Sequence, residues 1–180
     1  ISTADQLYYF LSNLDPNGNP MVDAEGNATD NSAKNVVLTA DIDCSTCTLG
    51  TTLPVMSKYS GTFDGNGYVI KNAKFGTAAC WVTDKQYVCG GGCLFCGMFF
   101  SFSGTFMNVG FDTVSAITGT KDYKHAAVVA HTSSGTIKNC FIVNSNIVSN
   151  YANYFTLCGN SVSNCYIGGS YVYGEKVFGD

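Results

Sequence analysis

The sequence predicts an all-β chain, a parallel β-solenoid closed at its start by one α-helix. Three observations predict it: a short motif that recurs four times, strands of period two with no helical period between the copies, and one amphipathic stretch near Ile1. A chain of 180 residues that is 46% hydrophobic and 12% charged is the size of one domain and can bury a core. It divides into residues 1–34, a cap helix with a polar loop, and residues 35–180, the repeating part.

Residues 3–14 read as the helix. Thr3 and Gln6 form a capping box, and Leu7, Phe10, Leu11 and Leu14 fall at i, i+3, i+4 and i+7. Asp15-Pro16-Asn17-Gly18 stops it, and residues 15–33 make a polar loop carrying one glycosylation sequon, Asn27-Ala28-Thr29. From Asn35 the period becomes two. Val36, Leu38, Ala40 and Ile42 point one way, and Val37, Thr39, Asp41 and Asp43 the other, as in a strand with one buried face.

The recurring frame is apolar, any, Asn, any, any, apolar. It reads Ile70-Lys71-Asn72-Ala73-Lys74-Phe75, then Phe106 to Phe111 around Asn108, Ile137 to Ile142 around Asn139, and Val162 to Ile167 around Asn164. The asparagines are 36, 31 and 25 residues apart, which suits stacked units with loops of different length. Ser-Gly-Thr precedes the second and third copies, at residues 103–105 and 134–136. Asn72, Asn108, Asn139 and Asn164 are expected to form an amide ladder at a corner of the stack. Cys140 and Cys165 share a frame position, so they fall one rung apart, roughly 4.8 Å between backbones, either bridged or simply stacked.

Asn35 to Asp43, Gly61-Thr62-Phe63-Asp64-Gly65-Asn66-Gly67 through Asn72, and Gly135-Thr136-Ile137-Lys138-Asn139-Cys140 together resemble the right-handed parallel β-helices of the pectin-lyase-like superfold. More narrowly, they are similar to the GLUG-motif repeats of microbial surface and adhesin-type proteins, and the likeness covers most of residues 1–170. Cys93-Leu94-Phe95-Cys96-Gly97-Met98 and Ala126 to Ala130 stand, in degenerate form, where that family has a small-apolar-apolar-Gly strand. The resemblance implies a right-handed parallel β-helix with an N-terminal capping α-helix, and a non-catalytic surface module.

Three aspartates offer the alternative of a polysaccharide-degrading enzyme. Asp41 and Asp43 share a strand face with Cα atoms roughly 6.6 Å apart, and Asp64 falls in the next unit; such carboxylates can act as acid and base on a glycosidic bond. Against this, the chain has no arginine, and the resemblance implies an arginine in the lyases and an Arg-x-Lys pair with a histidine in the polygalacturonase type. Asp64-Gly65-Asn66-Gly67 meets only the first two positions of an EF-hand loop, so it reads as a tight turn. His125 and His131 have no nucleophile placed to use them. No cofactor and no metal site are expected.

Nine cysteines in a Gly-, Ser-, Thr- and Asn-rich chain point to an oxidising compartment, hence a secreted or cell-surface protein. The disulfide candidates are Cys44, Cys47, Cys80, Cys89, Cys93, Cys96, Cys140 and Cys165. Cys44-x-x-Cys47 and Cys93-x-x-Cys96 also have zinc-ribbon spacing, and Cys80 to Cys96 read as an insertion stapled around Gly90-Gly91-Gly92. A net charge of −4 offers no field for nucleic acid. The apolar run Leu94–Phe102 is shorter than the ~20 residues of a membrane span, and no charged-then-apolar leader pattern stands at Ile1. That leaves glycans, proteins or further copies of the chain as partners, with end-to-end filaments among the outcomes. The candidate partner surface is Phe99 and Phe100, in a stretch from Phe95 to Phe102 that is apolar on both faces, and the tyrosines Tyr151, Tyr154, Tyr171 and Tyr173, with Tyr166 between them.

Overall fold

A computed structural model describes residues 1–80, 93–119, 124–158, 162–174 and 176–177. Among these residues the fold is all-β apart from one α-helix, Ala4–Leu11, and a short 3-10 turn, Cys44–Thr46. Thr3 caps the helix by accepting the Gln6 amide at 3.2 Å, while Gln6 reaches back to the amide of Ser2, one residue short of the predicted box. The helix also ends earlier than its apolar pattern suggests. Asn13 enters the left-handed region at φ 59°, and the side chain of buried Asn31 donates to the carbonyls of Phe10 and Leu14 at 3.1 and 3.0 Å. That amide adds a second hydrogen bond at the Phe10 carbonyl, which already accepts the Asn13 amide, and ties the polar loop to the helix end.

The loop holds an octapeptide duplication. Leu14-Asp15-Pro16-Asn17-Gly18-Asn19-Pro20-Met21 is followed by Val22-Asp23-Ala24-Glu25-Gly26-Asn27-Ala28-Thr29, and each half closes a tight loop across a β-bridge, Leu14 to Pro20 and Val22 to Ala28. In each half one aspartate oxygen accepts backbone amides two and four residues on: Asn17 and Asn19 for Asp15, Glu25 and Asn27 for Asp23. Gly18 and Gly26 sit at φ 84° and 85°, which a side chain resists.

Among the described residues five sheets follow, met in one fixed order; the third and fourth passes visit all five, whereas the first skips the third and fourth sheets and the second skips the third. The first sheet stacks Val36–Val37, Thr62–Asp64, Thr105–Met107, Thr136–Lys138 and Val162–Ser163; the second stacks Ile42–Asp43, Val69–Lys71, Gly110–Asp112, Phe141–Val143 and Tyr166–Gly168. Ser115–Gly119, Asn146–Ser149 and Tyr171–Tyr173 make the third sheet. The fourth contains Cys93–Cys96, Lys124–Ala126, Tyr151–Ala152 and Lys176–Val177, and the fifth Met56–Tyr59, Phe99–Phe102, Ala130–Ser133 and Thr156–Cys158. All these pairings are parallel. One antiparallel strand, Thr77–Cys80, pairs with Cys93–Cys96 and sets Cys80 opposite Cys93.

The single strand expected over residues 35–43 is two short strands in two sheets. Its alternation survives, with Val36, Leu38 and Ile42 buried and Val37, Thr39 and Asp43 exposed, because the chain turns a corner between them without changing which side faces the core. Inward residues stack in register. Val36, Phe63, Phe106 and Ile137 line the first sheet, and Ile42, Ile70, Phe111 and Ile142 the second. Phe63 lies on Phe106 with ring centroids 5.0 Å apart, and Tyr59 on Phe99 at 4.7 Å. The helix lids this core: Leu7, Phe10 and Leu11 are buried, and Phe10 packs on Tyr59 and Phe63 at 5.5 and 5.9 Å. Each fully buried ring contributes roughly 1.5–3 kcal/mol.

The Ser-Gly-Thr repeat has a steric cause. A Cβ on Gly61 would strike the carbonyl of Lys34, one on Gly104 that of Gly61, and one on Gly135 that of Gly104. The glycines form a column where successive passes come too close for any side chain. Thr62, Thr105 and Thr136 stack beside it at a constant register position.

Candidate functional site

In the later passes two corners are built on a left-handed residue. After the first sheet these residues are Asn108, Asn139 and Asn164, at φ 57°, 54° and 51°; after the second they are Asn72, Thr113, Asn144 and Gly169, at 55°, 56°, 51° and 59°. Asparagine tolerates this backbone and brings an amide that can bond along the stack. Asn164 donates to Asn139 at 2.9 Å, Asn139 to Asn108 at 3.1 Å, and Asn108 to the Asp64 carboxylate at 2.9 Å. Asn72 does not belong to this ladder, because the register pairs Ile70 with Phe111 and Ile142 rather than with Phe106. It donates instead to Asp43 at 2.9 Å, as Asn144 does to Asp112 at 2.9 Å, in a second, interrupted ladder. The frame's corner occurs twice in each of the last three passes, at Asn108 and Thr113, Asn139 and Asn144, and Asn164 and Gly169. Ile142-Val143-Asn144-Ser145-Asn146-Ile147 fits the frame as well as the four copies first recognised, and the threonine and glycine in the other passes hid the series.

The three candidate catalytic carboxylates are acceptors within this scaffold. Asp41 accepts the Lys71 ammonium at 2.6 Å and the Val69 amide at 2.9 Å, which holds its carboxyl below the usual range. Asp43 is lowered by the Asn72 amide and by the hydroxyl and amide of Ser45. Asp64 accepts the Asn108 side chain and, at 2.8 Å, the amide of Asn66 within the turn closed by Tyr68 and Gly65. A hollow of about 260 Å³ under the helix is lined by Ile1, Gln6, Phe10, Leu14, Asn31 and Lys34 among others, and by none of the three aspartates.

The apolar stretch around Phe95 is covered from within the chain. Gly97 and Met98 turn it sharply; a Cβ on Gly97 would meet the Ala127 carbonyl and the Phe95 ring. Phe95, Ala127 and Leu157 form a second buried cluster, with half-buried Phe100 and Tyr151 against it. His125 and His131 stack at 4.6 Å, their Nδ1 and Nε2 in contact, with Phe100 on His131 at 4.8 Å and Tyr151 edge-on to His125 at 4.8 Å. Burial, then His125, pushes the His131 imidazole down to about 3, and its Nδ1 has no hydrogen-bond partner among the described residues.

Phe99 is therefore not a surface residue; it is buried in the main core under Tyr59. Tyr154 is half-buried against the same core. Of the candidate surface residues, Tyr171 and Tyr173 stand out in solvent, 55% and 53% exposed, with Tyr166 at 64%. The rings of Tyr171 and Tyr173 are parallel within 4° at 6.3 Å. They head two outward columns of the third sheet, Ser115, Asn146 and Tyr171 beside Ile117, Val148 and Tyr173.

Cys44, Cys47, Cys96, Cys140 and Cys165 carry unoxidised thiols in the structure. Cys96 points into the core and bonds the Phe75 carbonyl at 2.9 Å; Cys47 bonds the Asp5 carboxylate, which also takes the amide and hydroxyl of Thr48. Cys89 and the glycines after it lie outside the described residues, and Cys80 and Cys93 are placed by backbone alone. Among the described residues no group of three or more His, Cys, Asp or Glu is arranged to hold a metal ion, and no helix is long and apolar enough to cross a membrane. Asn27 is exposed, its side-chain nitrogen 3.1 Å from the Asp23 carboxylate. Comparison with protein-family models, with curated proteins and with solved structures finds no match.

Proposed function

We propose that the chain is a short right-handed parallel β-helix that works outside the cell or on its surface as a non-catalytic structural or adhesive module, presenting register-stacked side chains to glycans or partner subunits. The recurring order of the five sheets, pass after pass, supports the β-helix. The observation that carries the function is the outward pair Tyr171 and Tyr173, parallel and solvent-exposed on one strand. Exposed aromatic faces with a hydroxyl at the tip suit the apolar face and hydroxyl rim of a sugar ring. The carboxylates favour the same reading. A glycosidase needs one carboxyl kept protonated by a raised pKa, whereas Asp41 and Asp43 are both lowered.

A glycan array probed with the native protein and with the double variant Tyr171→Ala, Tyr173→Ala tests this. At least a tenfold loss of binding is expected, with folding intact because both rings lie outside the core. Undiminished binding by the double variant overturns the assignment of the surface, and turnover of any polysaccharide overturns the non-catalytic reading. Contact with partner subunits in place of glycans would show as concentration-dependent sedimentation that the same two substitutions abolish.

A further inference from the structure

Asn139-Cys140 and Asn164-Cys165 place a cysteine directly after the left-handed corner in two successive passes, where the pass before has Val109. The register of Phe141 with Tyr166 makes the two cysteines immediate neighbours on adjacent passes, and the Tyr166 amide donates to the Cys140 carbonyl at 2.9 Å. Their thiols repeat one arrangement. The Cys140 thiol donates to the Lys138 carbonyl at 3.2 Å, the Cys165 thiol donates to the Ser163 carbonyl at 3.3 Å, and the two sulfurs lie within hydrogen-bonding reach of each other. Parallel neighbours stand about 4.8 Å apart, inside the 4.4–6.8 Å of Cα separation that a disulfide spans.

We propose that Cys140 and Cys165 are a disulfide site, oxidised by a small-molecule disulfide such as glutathione disulfide, that fastens the last described pass to the one before it. The order of events follows from burial. Cys140 is 3% exposed and its thiol is pushed up to about 12 by desolvation, whereas Cys165 is partly exposed. Cys165 therefore reacts first: its thiolate attacks one glutathione sulfur, the glutathione S–S bond breaks, and one glutathione thiolate leaves. Cys140 then loses its proton to solvent, attacks the Cys165 sulfur of the mixed disulfide, and expels the second glutathione thiolate. Two protein thiols are oxidised and one glutathione disulfide is reduced to two thiols. Cys96, enclosed in the core on the Phe75 carbonyl, has no such neighbour among the described residues.

The bond closes a loop from residue 140 to residue 165, which lowers the unfolding equilibrium constant on the order of a few hundredfold in the chain-entropy account. The test equilibrates the folded protein with glutathione buffers from reducing to oxidising, alkylates the remaining thiols and maps the peptides, with a urea melt on each sample. A linked Cys140–Cys165 peptide and a raised urea midpoint are expected in the oxidising samples, both abolished by Cys165→Ser and by Cys140→Val, and both kept in Cys47→Ser. Cys140→Val copies Val109 of the pass before, and Cys165→Ser carries the test if that variant fails to fold. Alkylated Cys140 and Cys165 in the oxidising samples, or Cys165 linked to any other cysteine, overturns the proposal. None of these readouts depends on what the tyrosine surface binds.

Discussion

Asn139 is asked for two things that few residues combine, a left-handed backbone and an amide that both donates and accepts. It donates to Asn108 and accepts from Asn164 while sitting at φ 54°. Asn139→Gly keeps the backbone and removes the amide, and should destabilise the fold by about 1 kcal/mol; Asn139→Ala removes the amide and strains the backbone as well, and should cost about 2 kcal/mol. Urea unfolding of the pair separates the two contributions. Equal midpoints would mean that the amide ladder contributes and the left-handed backbone does not select the residue.

Among the elements, the glycine column is the least forgiving. A Cβ on Gly104 would run into the carbonyl of Gly61 and lie 2.8 Å from the carbonyl carbon of Ser60, both backbone atoms that cannot turn aside. Gly104→Ala should cost about 3 kcal/mol, while Ser103→Ala, at the exposed neighbour, should stay within about 0.5 kcal/mol of the native protein; denaturant midpoints decide it. How much of such elements the sequence shows follows from what each one needs. The helix, the strand alternation and the Ser-Gly-Thr repeat are legible because periodicity and sterics act on neighbouring residues. The sequence pattern alone groups Asn72 with the other corner because both corners demand the same left-handed residue, and only the pairing of Ile70 with Phe111 tells them apart. Phe95 and Phe99 looked alike in sequence, yet the bend at Gly97 sends one into the outer cluster and the other into the core. That bend depends on Ala127 and Phe95 across the turn, contacts that no local pattern records.

At the scale of the whole molecule, stability should fall with acid in two steps. His131 is held neutral down to about 3 by burial, while in the unfolded chain it takes a proton near roughly 6.5. Above that value both states are neutral and the contribution to stability is complete. As pH falls below it the unfolded state gains the proton first and stability declines. A second loss follows at lower pH, where the lowered carboxyls of Asp41, Asp43 and Asp112 begin to titrate in the unfolded chain. Urea midpoints measured against pH should show a slope between about 6.5 and 4 that His131→Phe removes; an unchanged slope would assign it to another group. The amide ladder gives the molecule a direction as well. Every link from Asn164 to Asn108 passes its hydrogen toward the Asp64 carboxylate, so the amide dipoles align head to tail, and a carboxylate, which can only accept, fits the end where hydrogens arrive. At the opposite end stands the side-chain carbonyl oxygen of Asn164, which accepts from no donor among the described residues. Whatever meets that end, whether more of the same chain or another molecule, is matched only if it brings a hydrogen-bond donor, so the stack is a polar thread that can be extended by one kind of chemistry and refuses its mirror.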